Sequence, residues 1–340
     1  MYRDLCVATL VVYFFLLATT SVAQIPMYEG ADRTQRLQDG ARREGTLSIY
    51  TSMAEKDITR LVSAFEAKHS IKTKVWRAGT DKVLQRVTTE ARAGRHEVDF
   101  VLGTAPEMEA IYREKLLQPV RSPMQKELIP AALPAHREWT GMRVYVYVQA
   151  YNSQKISRDA LPRRYEDLLN PRWKGQLGVE SKHEWFYTLV QAMGEEKGLR
   201  FFRDVVAANG MSLRNGSTLL ANLVSAGEVP LALNLYAHVV APLRAKGAPI
   251  DYLSLSPTVA ATDSIAITRH AKHPHAATLF YDFLLSDGQK IVADNSISTH
   301  RRDEPLLARF QPIIFSDPVK ILDNYSKWDK LFDDTMSGRQ

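Results

Sequence analysis

The chain has 340 residues, carries 44 Lys and Arg against 38 Asp and Glu, and contains one cysteine, Cys6. The length suits two domains of about 150 residues, and the formal charge of +6 is mild, dispersed and without a recognition motif, which argues against nucleic acid and allows an anionic ligand. With Cys6 as the only thiol, disulfides, thiolate zinc sites, iron–sulfur clusters and cysteine nucleophiles are excluded, so the core alone must hold the fold.

Residues 1–23 read as a cleavable signal peptide. Arg3 supplies the positive start, Cys6 to Ala18 is a mostly apolar run, and Ser21-Val22-Ala23 is a small-x-small cleavage site before Gln24. That apolar run is shorter than the roughly 20 residues of a membrane span, so the working chain is expected to be free, exported to the periplasm and not inserted in the membrane. A helix is predicted over Ala31 to Arg43. Strand–helix alternation then begins: Leu47–Tyr50 as a strand, with Ile58, Leu61, Val62 and Phe65 as a helical stripe. Thr73–Trp76 is the next strand, Val83, Leu84, Val87 and Ala91 the next helix face, and Val98–Leu102 a third strand. Such alternation with short loops predicts a parallel sheet covered on both faces.

Val144 to Ala150 (VYVYVQA) is a longer strand, closed by Tyr151-Asn152. Helices are predicted from Phe186 to Met193 and from Gly198 to Ala208. A third, with its apolar face at Leu219, Leu220, Leu223 and Val224, is capped by Asn215-Gly216-Ser217-Thr218. Val229–Leu233 is a short apolar run that ends in the polar triplet Asn234-Leu235-Tyr236, where a strand gives way to a helix. Open α/β sheets present ligand-binding groups at such strand ends. After a strand at Ile250–Leu253, Ala260–Thr268 returns to the first lobe, and the tail beyond Arg302 is expected to pack as a helical cap.

Three stretches carry a resemblance. AGEVPLALNLYA (Ala226–Ala237), PRRYEDLLNPRWKGQLGVE (Pro162–Glu180) and AKHPHAATLFYDFLLSDGQ (Ala271–Gln289) resemble the periplasmic solute-binding proteins of ABC importers, in particular their iron(III)-type branch. The matches run from about Leu47 to Gln289. The resemblance implies an α/β, two-lobed type II periplasmic binding protein fold, each lobe a mixed, mostly parallel sheet flanked by helices, with the ligand cleft between them. The implied N-lobe is residues 24–145 plus 258–310; the C-lobe with its helical cap is 146–257 plus 311–340. It also implies a monomer that binds a small-molecule solute, closes around it and docks on an ABC permease in the inner membrane.

In that branch two adjacent tyrosines of the C-lobe hold iron, and here only Tyr236 remains, because Ala237 replaces its neighbour. The branch's anion pocket is better kept: Ser181, Asn215 and Asn234 fall at its places. The expectation is therefore a small anionic organic solute, a carboxylate, phosphonate or phosphate ester, with Tyr236 as a neutral hydrogen-bond donor and no cofactor. The alternative is ferric iron with a synergistic anion, with Tyr236 as the metal ligand.

Around this centre, Thr51 and Ser52, Gly79 and Thr80, Thr104, Ser181, and Asn215 with Ser217 lie at strand-to-helix junctions, where free N–H groups can hold an anion; each also suits an ordinary N-cap. Trp185 is a candidate for stacking on an organic ligand with His183 or Glu184 reading its polar end; the His–Glu pair could instead rebuild a metal site from this loop, and the same residues also fit a helix first turn packed into the lobe. Asp81 is either a ligand or a helix first-turn residue, and Asp263 either receives an amine or caps a strand. His270, His273 and His275 are read as a solvated helix start, and Arg301-Arg302 as a solvated turn. No nucleophile elbow, zincin motif or carboxylate pair appears, so no enzyme is expected; an enzyme or a ligand sensor on the same scaffold is the rival class.

Overall fold

A computed structural model describes residues 25–293 and 296–338; the expected signal peptide lies outside the described residues. The first part runs α1 (Arg33–Glu44), β1 (Thr46–Thr51), α2 (Glu55–His69), β2 (Lys72–Arg77), α3 (Thr80–Arg92), β3 (Phe100–Thr104) and α4 (Ala105–Arg113). Next come β4 (Thr140–Asn152), β5 (Leu177–Glu180), α5 (His183–Met193), α6 (Glu195–Asn209), β6 (Ser212–Arg214), α7 (Ser217–Ala226), β7 (Leu231–Tyr236) and α8 (Ala237–Ala245). The chain continues through β8 (Ile250–Leu253), β9 (Thr258–Ile267), α9 (Pro274–Leu284), α10 (Asp287–Val292) and β10 (Ile297–Ser298). It ends with α11 (Glu304–Ala308), β11 (Ile313–Phe315), α12 (Pro318–Asp323) and α13 (Tyr325–Met336).

The strands follow the order β2-β1-β3-β9-β4-β7-β5-β6, with β8 and β10 added to β4 and β11 to β9. The outer pairs β1–β2, β1–β3, β5–β6 and β5–β7 are parallel, as the strand–helix alternation predicts. The two long strands in the middle, β9 and β4, run antiparallel to each other and to β3 and β7 on either side. Along β4 the partner changes: residues 140–146 pair with β9, and residues 147–151 pair with β7. That change carries the chain from one half of the sheet to the other.

Every residue of β4 is buried, because it has neighbours on both edges and packing on both faces. Its period of two divides its side chains. Val144, Val146 and Val148 join the core that α2 and α9 complete with Phe65 and Phe280. Tyr145, Tyr147 and Tyr151 join a second core with Trp185, Phe202 and Trp328. The helical stripe of α2 is buried as its spacing predicts, with Ile58, Leu61 and Phe65 inside. The third strand begins at Phe100, two residues later than expected, and Asp99 instead accepts from the Ser48 N–H and lies 2.8 Å from the His273 ring.

That contact corrects one expectation. The histidines around the start of α9 do not simply face water: His273 Nδ1 meets Asp99 and His275 Nδ1 meets Glu44 at 2.7 Å, while His270 lies ring to ring with His96. The Asp99 and Glu44 carboxylates also accept backbone N–H groups of this first turn, so they cap the helix end as well as pairing with the rings. Arg301 likewise is not free in its turn but donates to the Leu128 carbonyl.

The expected C-terminal cap is present, preceded by a short strand on β9. It touches both halves. Arg113 of α4 donates to Asp323 at 2.6 Å, while Lys327 of α13 pairs with Glu195 of α6 at 2.7 Å.

Candidate functional site

Tyr145 and Tyr147 stand two residues apart on β4 and so share a face. Antiparallel pairing sets Tyr236, the last residue of β7, opposite Tyr147. The ring centroids lie 5.8 Å apart for Tyr145–Tyr147, 4.9 Å for Tyr147–Tyr236 and 5.1 Å for Tyr145–Tyr236. Into this triangle the first turn of α5 sends Glu184. Its Oε2 accepts from the Tyr147 hydroxyl at 2.9 Å and from Tyr145 at 3.4 Å, while its Oε1 is buried without a partner. Glu180, closing β5, is 2% exposed, and its Oε2 is buried with no partner. His238 stacks on Tyr236 with centroids 5.4 Å apart, its Nδ1 also buried and unpartnered.

A fourth orphan comes from the other half. Glu107, in the first turn of α4, accepts from the Thr104 N–H at 3.3 Å and from Ser52 Oγ at 3.2 Å, leaving Oε1 without a partner. The close approach needs a glycine at 103, where a Cβ would collide with Glu107 Oε2. Asp263 acts electrostatically on Glu107, Glu184 and Tyr236 alike, which places all of them in one neighbourhood.

Burial sets the charges. It drives the hydroxyl pKa of Tyr145, Tyr147 and Tyr236 well above the usual value and raises those of Glu180 and Glu184. Glu107 is pushed up to about 8. His238 is lowered to about 3, by burial first and by the nearby Arg143 second, so its ring is neutral at physiological pH. Arg143, the buried cation beside them, is already paired with Asp57 at 2.9 Å and Asp263 at 2.5 Å. Three phenols and a set of carboxylate oxygens, several unpaired, form a hard-oxygen environment suited to a hard cation. Each buried unpaired oxygen costs about 1–3 kcal/mol unless something meets it.

The sequence candidates distribute unevenly over this geometry. Tyr236 is at its centre, and Ser52 and Thr104 hold Glu107. Asn234 is fully buried, and its amide clamps the backbone N–H and carbonyl of Glu180 at 2.7 and 2.9 Å; both side-chain ends are spent within the sheet. Trp185 is fully buried against Phe202 at 5.5 Å, so its ring fills the core and cannot stack on a ligand. His183 turns the other way, towards Asp329 at 3.4 Å and the ring of Tyr325. Thr51 is buried, its hydroxyl accepting from the Met53 N–H. Gly79 and Thr80 open α3, and Asn215 and Ser217 flank the α7 start, where Gly216, at φ 104°, holds the cap position expected of a polar side chain. Ser181 sits half-buried between β5 and α5. Asp263, offered as an amine receptor or strand cap, instead pairs with Arg143.

Sequence reasoning passed over Tyr145, Tyr147, Glu180, Glu107 and His238. For the two tyrosines the signal was present, since the VYVYV alternation puts them on one face. Nothing local marks Glu107, which reads as a helix first-turn acid.

Residues 101–312 match the family model for bacterial extracellular solute-binding proteins. The chain belongs to that family. Among relatives, the Fe(3+)-binding periplasmic protein of Serratia marcescens is 26% identical over 184 residues, 53% of this chain and 54% of that protein. Iron uptake protein A1 of Synechocystis sp. is 25% identical over 203 residues, 58% of this chain and 56% of that protein. The match thus spans about half the length of these curated relatives. Iron-bound HitA from Pseudomonas aeruginosa superposes with a TM-score of 0.74 at 21% identity, over 85% of this chain and 99% of that one. At that identity the likeness is one of fold, and it is the two-lobed type II periplasmic binding fold. Among the described residues no helix is long and apolar enough to cross a membrane.

Proposed function

We propose that this solute-binding protein captures ferric iron in the cleft and hands it to an ABC permease of the inner membrane, working as a periplasmic monomer. Tyr145, Tyr147, Tyr236 and Glu184 supply the oxygen donors, and the lobes, 24–145 with 258–310 against 146–257 with 311–340, close over the ion. The observation that carries this is a cluster of three phenols, two of which donate to a carboxylate whose other oxygen is buried and unpaired. The names of the two curated relatives support the same cargo.

This choice reverses the preference for an organic anion that the missing tyrosine at 237 suggested. Two further phenols from β4 make up for that loss. The pocket meant for a free anion is compromised as well, because Asn234 is spent on the Glu180 backbone.

Iron loading of metal-free protein from ferric nitrilotriacetate, followed by the visible phenolate-to-iron band, tests the reading. Tyr236→Phe and Glu184→Gln are expected to weaken binding at least about tenfold, the scale of 1.4 kcal/mol; unchanged affinity in both would sink it. The pH sign is fixed by the raised tyrosine pKa values. The tyrosines, raised above an ordinary value of 10, are protonated without metal and must release protons to bind it, so affinity rises with pH and falls on acidification.

A further inference from the structure

At the end of the β3–β9 pair remote from Asp263, two histidines face each other. The last paired residues of these strands are Phe100 and Ile267. Thr268 carries the pairing one step further, its N–H donating to the Asp99 carbonyl and its hydroxyl to that of Val98. Two residues beyond on each side stand His96 and His270, with ring centroids 4.3 Å apart and planes inclined by 44°. Asp263 and Ile267 are separated by about 13 Å of strand, so this place is distinct from the tyrosine cluster.

The loops that carry the two rings are tied down. The Arg95 N–H donates to the Glu90 carbonyl at 2.8 Å, Arg269 donates to the Lys115 carbonyl at 2.7 Å, and Lys272 pairs with Glu97 at 3.1 Å. Yet neither ring has a hydrogen bond or an ion pair among the described residues, unlike His273 and His275, whose Nδ1 atoms meet carboxylates. Both rings line a cavity of about 20 Å³, together with Glu90, Arg95 and Thr268, which is room for one water molecule or one ion. Glu90 is engaged by Tyr50 and Arg86, and among the described residues no three His, Cys, Asp or Glu gather as a metal cluster. The donors on offer are thus two imidazoles, with water for the remaining positions. Two imidazoles bound side by side to one ion, at the usual metal–nitrogen distance of about 2.0–2.1 Å, have their centroids about 4.5 Å apart. These rings already stand at nearly that spacing. Imidazole suits copper, nickel and zinc, and affinity among the divalent ions peaks at Cu2+.

We infer that His96 and His270 form a second metal site, separate from the proposed iron site and different in chemistry: two nitrogen donors for a divalent transition-metal ion, Cu2+ ahead of Zn2+. The inference does not depend on the ferric reading.

The test is titration of untagged, metal-free protein with copper(II) chloride in a non-coordinating buffer, read by calorimetry and by electron paramagnetic resonance. The parent is compared with His96→Gln, His270→Gln and Tyr236→Phe, and a melting scan of each shows that it is folded. The parent is expected to bind one ion at this site, with a signal split by two ring nitrogens. Losing even a residue that only hydrogen-bonds to a metal ligand costs about tenfold or more, so either histidine variant should weaken binding at least tenfold. Tyr236→Phe should leave it unchanged, and zinc(II) chloride should bind the parent more weakly than copper does. Copper held by both histidine variants as tightly as by the parent overturns the inference, as does a signal from a single ring nitrogen. An affinity in the parent weaker than about 1 mM also overturns it and leaves the two rings as a packing contact. Copper lost in Tyr236→Phe but kept in the histidine variants assigns the ion to the tyrosine cluster and overturns it too.

Discussion

Single residues set the chemistry through burial more than through identity. Glu107 shows this best. Burial is the leading cause that lifts its pKa from the ordinary 4.5 to about 8. The folded state therefore holds a proton that the unfolded chain gives up. The stability this contributes is complete below about pH 4.5 and is lost as pH rises through about 8. Glu107→Gln keeps an acceptor for Thr104 and Ser52 without the titration. Its melting temperature is expected to vary less with pH over that window than the parent's, and to exceed it at pH 8; parallel curves for the two proteins would refute the assignment. The gain is at most a few kcal/mol, since each tenfold change in proton affinity is worth about 1.4 kcal/mol.

At the scale of elements, β4 and the β5–β7 pair organise the site. The residue chosen from sequence as an anion ligand, Asn234, turns out to tie β5 to β7 through two buried hydrogen bonds. Asn234→Ala should therefore cost about 1–3 kcal/mol of stability by stranding the Glu180 backbone groups. That loss is readable as a lower denaturation midpoint in the metal-free protein. A ligand role alone would leave the metal-free midpoint untouched, so an unchanged value would restore the original reading. The elements themselves were largely legible. The predicted helices and strands all form, with boundaries displaced by a few residues: the polar triplet Asn234–Tyr236 lies inside β7 instead of after it. VYVYV was legible as a strand, and its two-residue period already held the shared tyrosine face. What the alternation lacked was the address of that face, because either side of a fully buried strand reads alike.

For the whole molecule, the proposed function requires closure of one lobe on the other, driven by a ligand that contacts both. The C-terminal cap adds a tie, since α12 holds α4 through Arg113 and Asp323 while α13 rests on α5 and α6. Iron loading is expected to lower the radius of gyration in small-angle scattering. Arg113→Ala should quicken iron release by no more than about fivefold, because an exposed pair is worth at most about 1 kcal/mol. A radius indifferent to iron would argue against closure, and a release rate unaltered by the variant would show the tie to be passive.

The sequence by itself determined the alternating α/β architecture, the family and the place of Tyr236. Those follow from local periodicity and from motifs contiguous in the chain, which need no knowledge of neighbours. Only the tertiary structure decided the rest of the site. Tyr145 and Tyr147 share β4, while Tyr236, Glu180, Glu184 and Glu107 each lie on another strand or helix. Tyr145, Tyr147, Tyr236 and Glu184 meet because antiparallel pairing of β4 with β7 and the entry of α5 bring their side chains together, while Glu107 is held by Ser52 and Thr104 at the start of α4. Whether a polar residue near a strand end serves the ligand or the network of backbone bonds depends on what packs across from it. That is why Asn234 and Trp185 went to the interior, and the cargo is read from tyrosines that the local sequence had presented as strand.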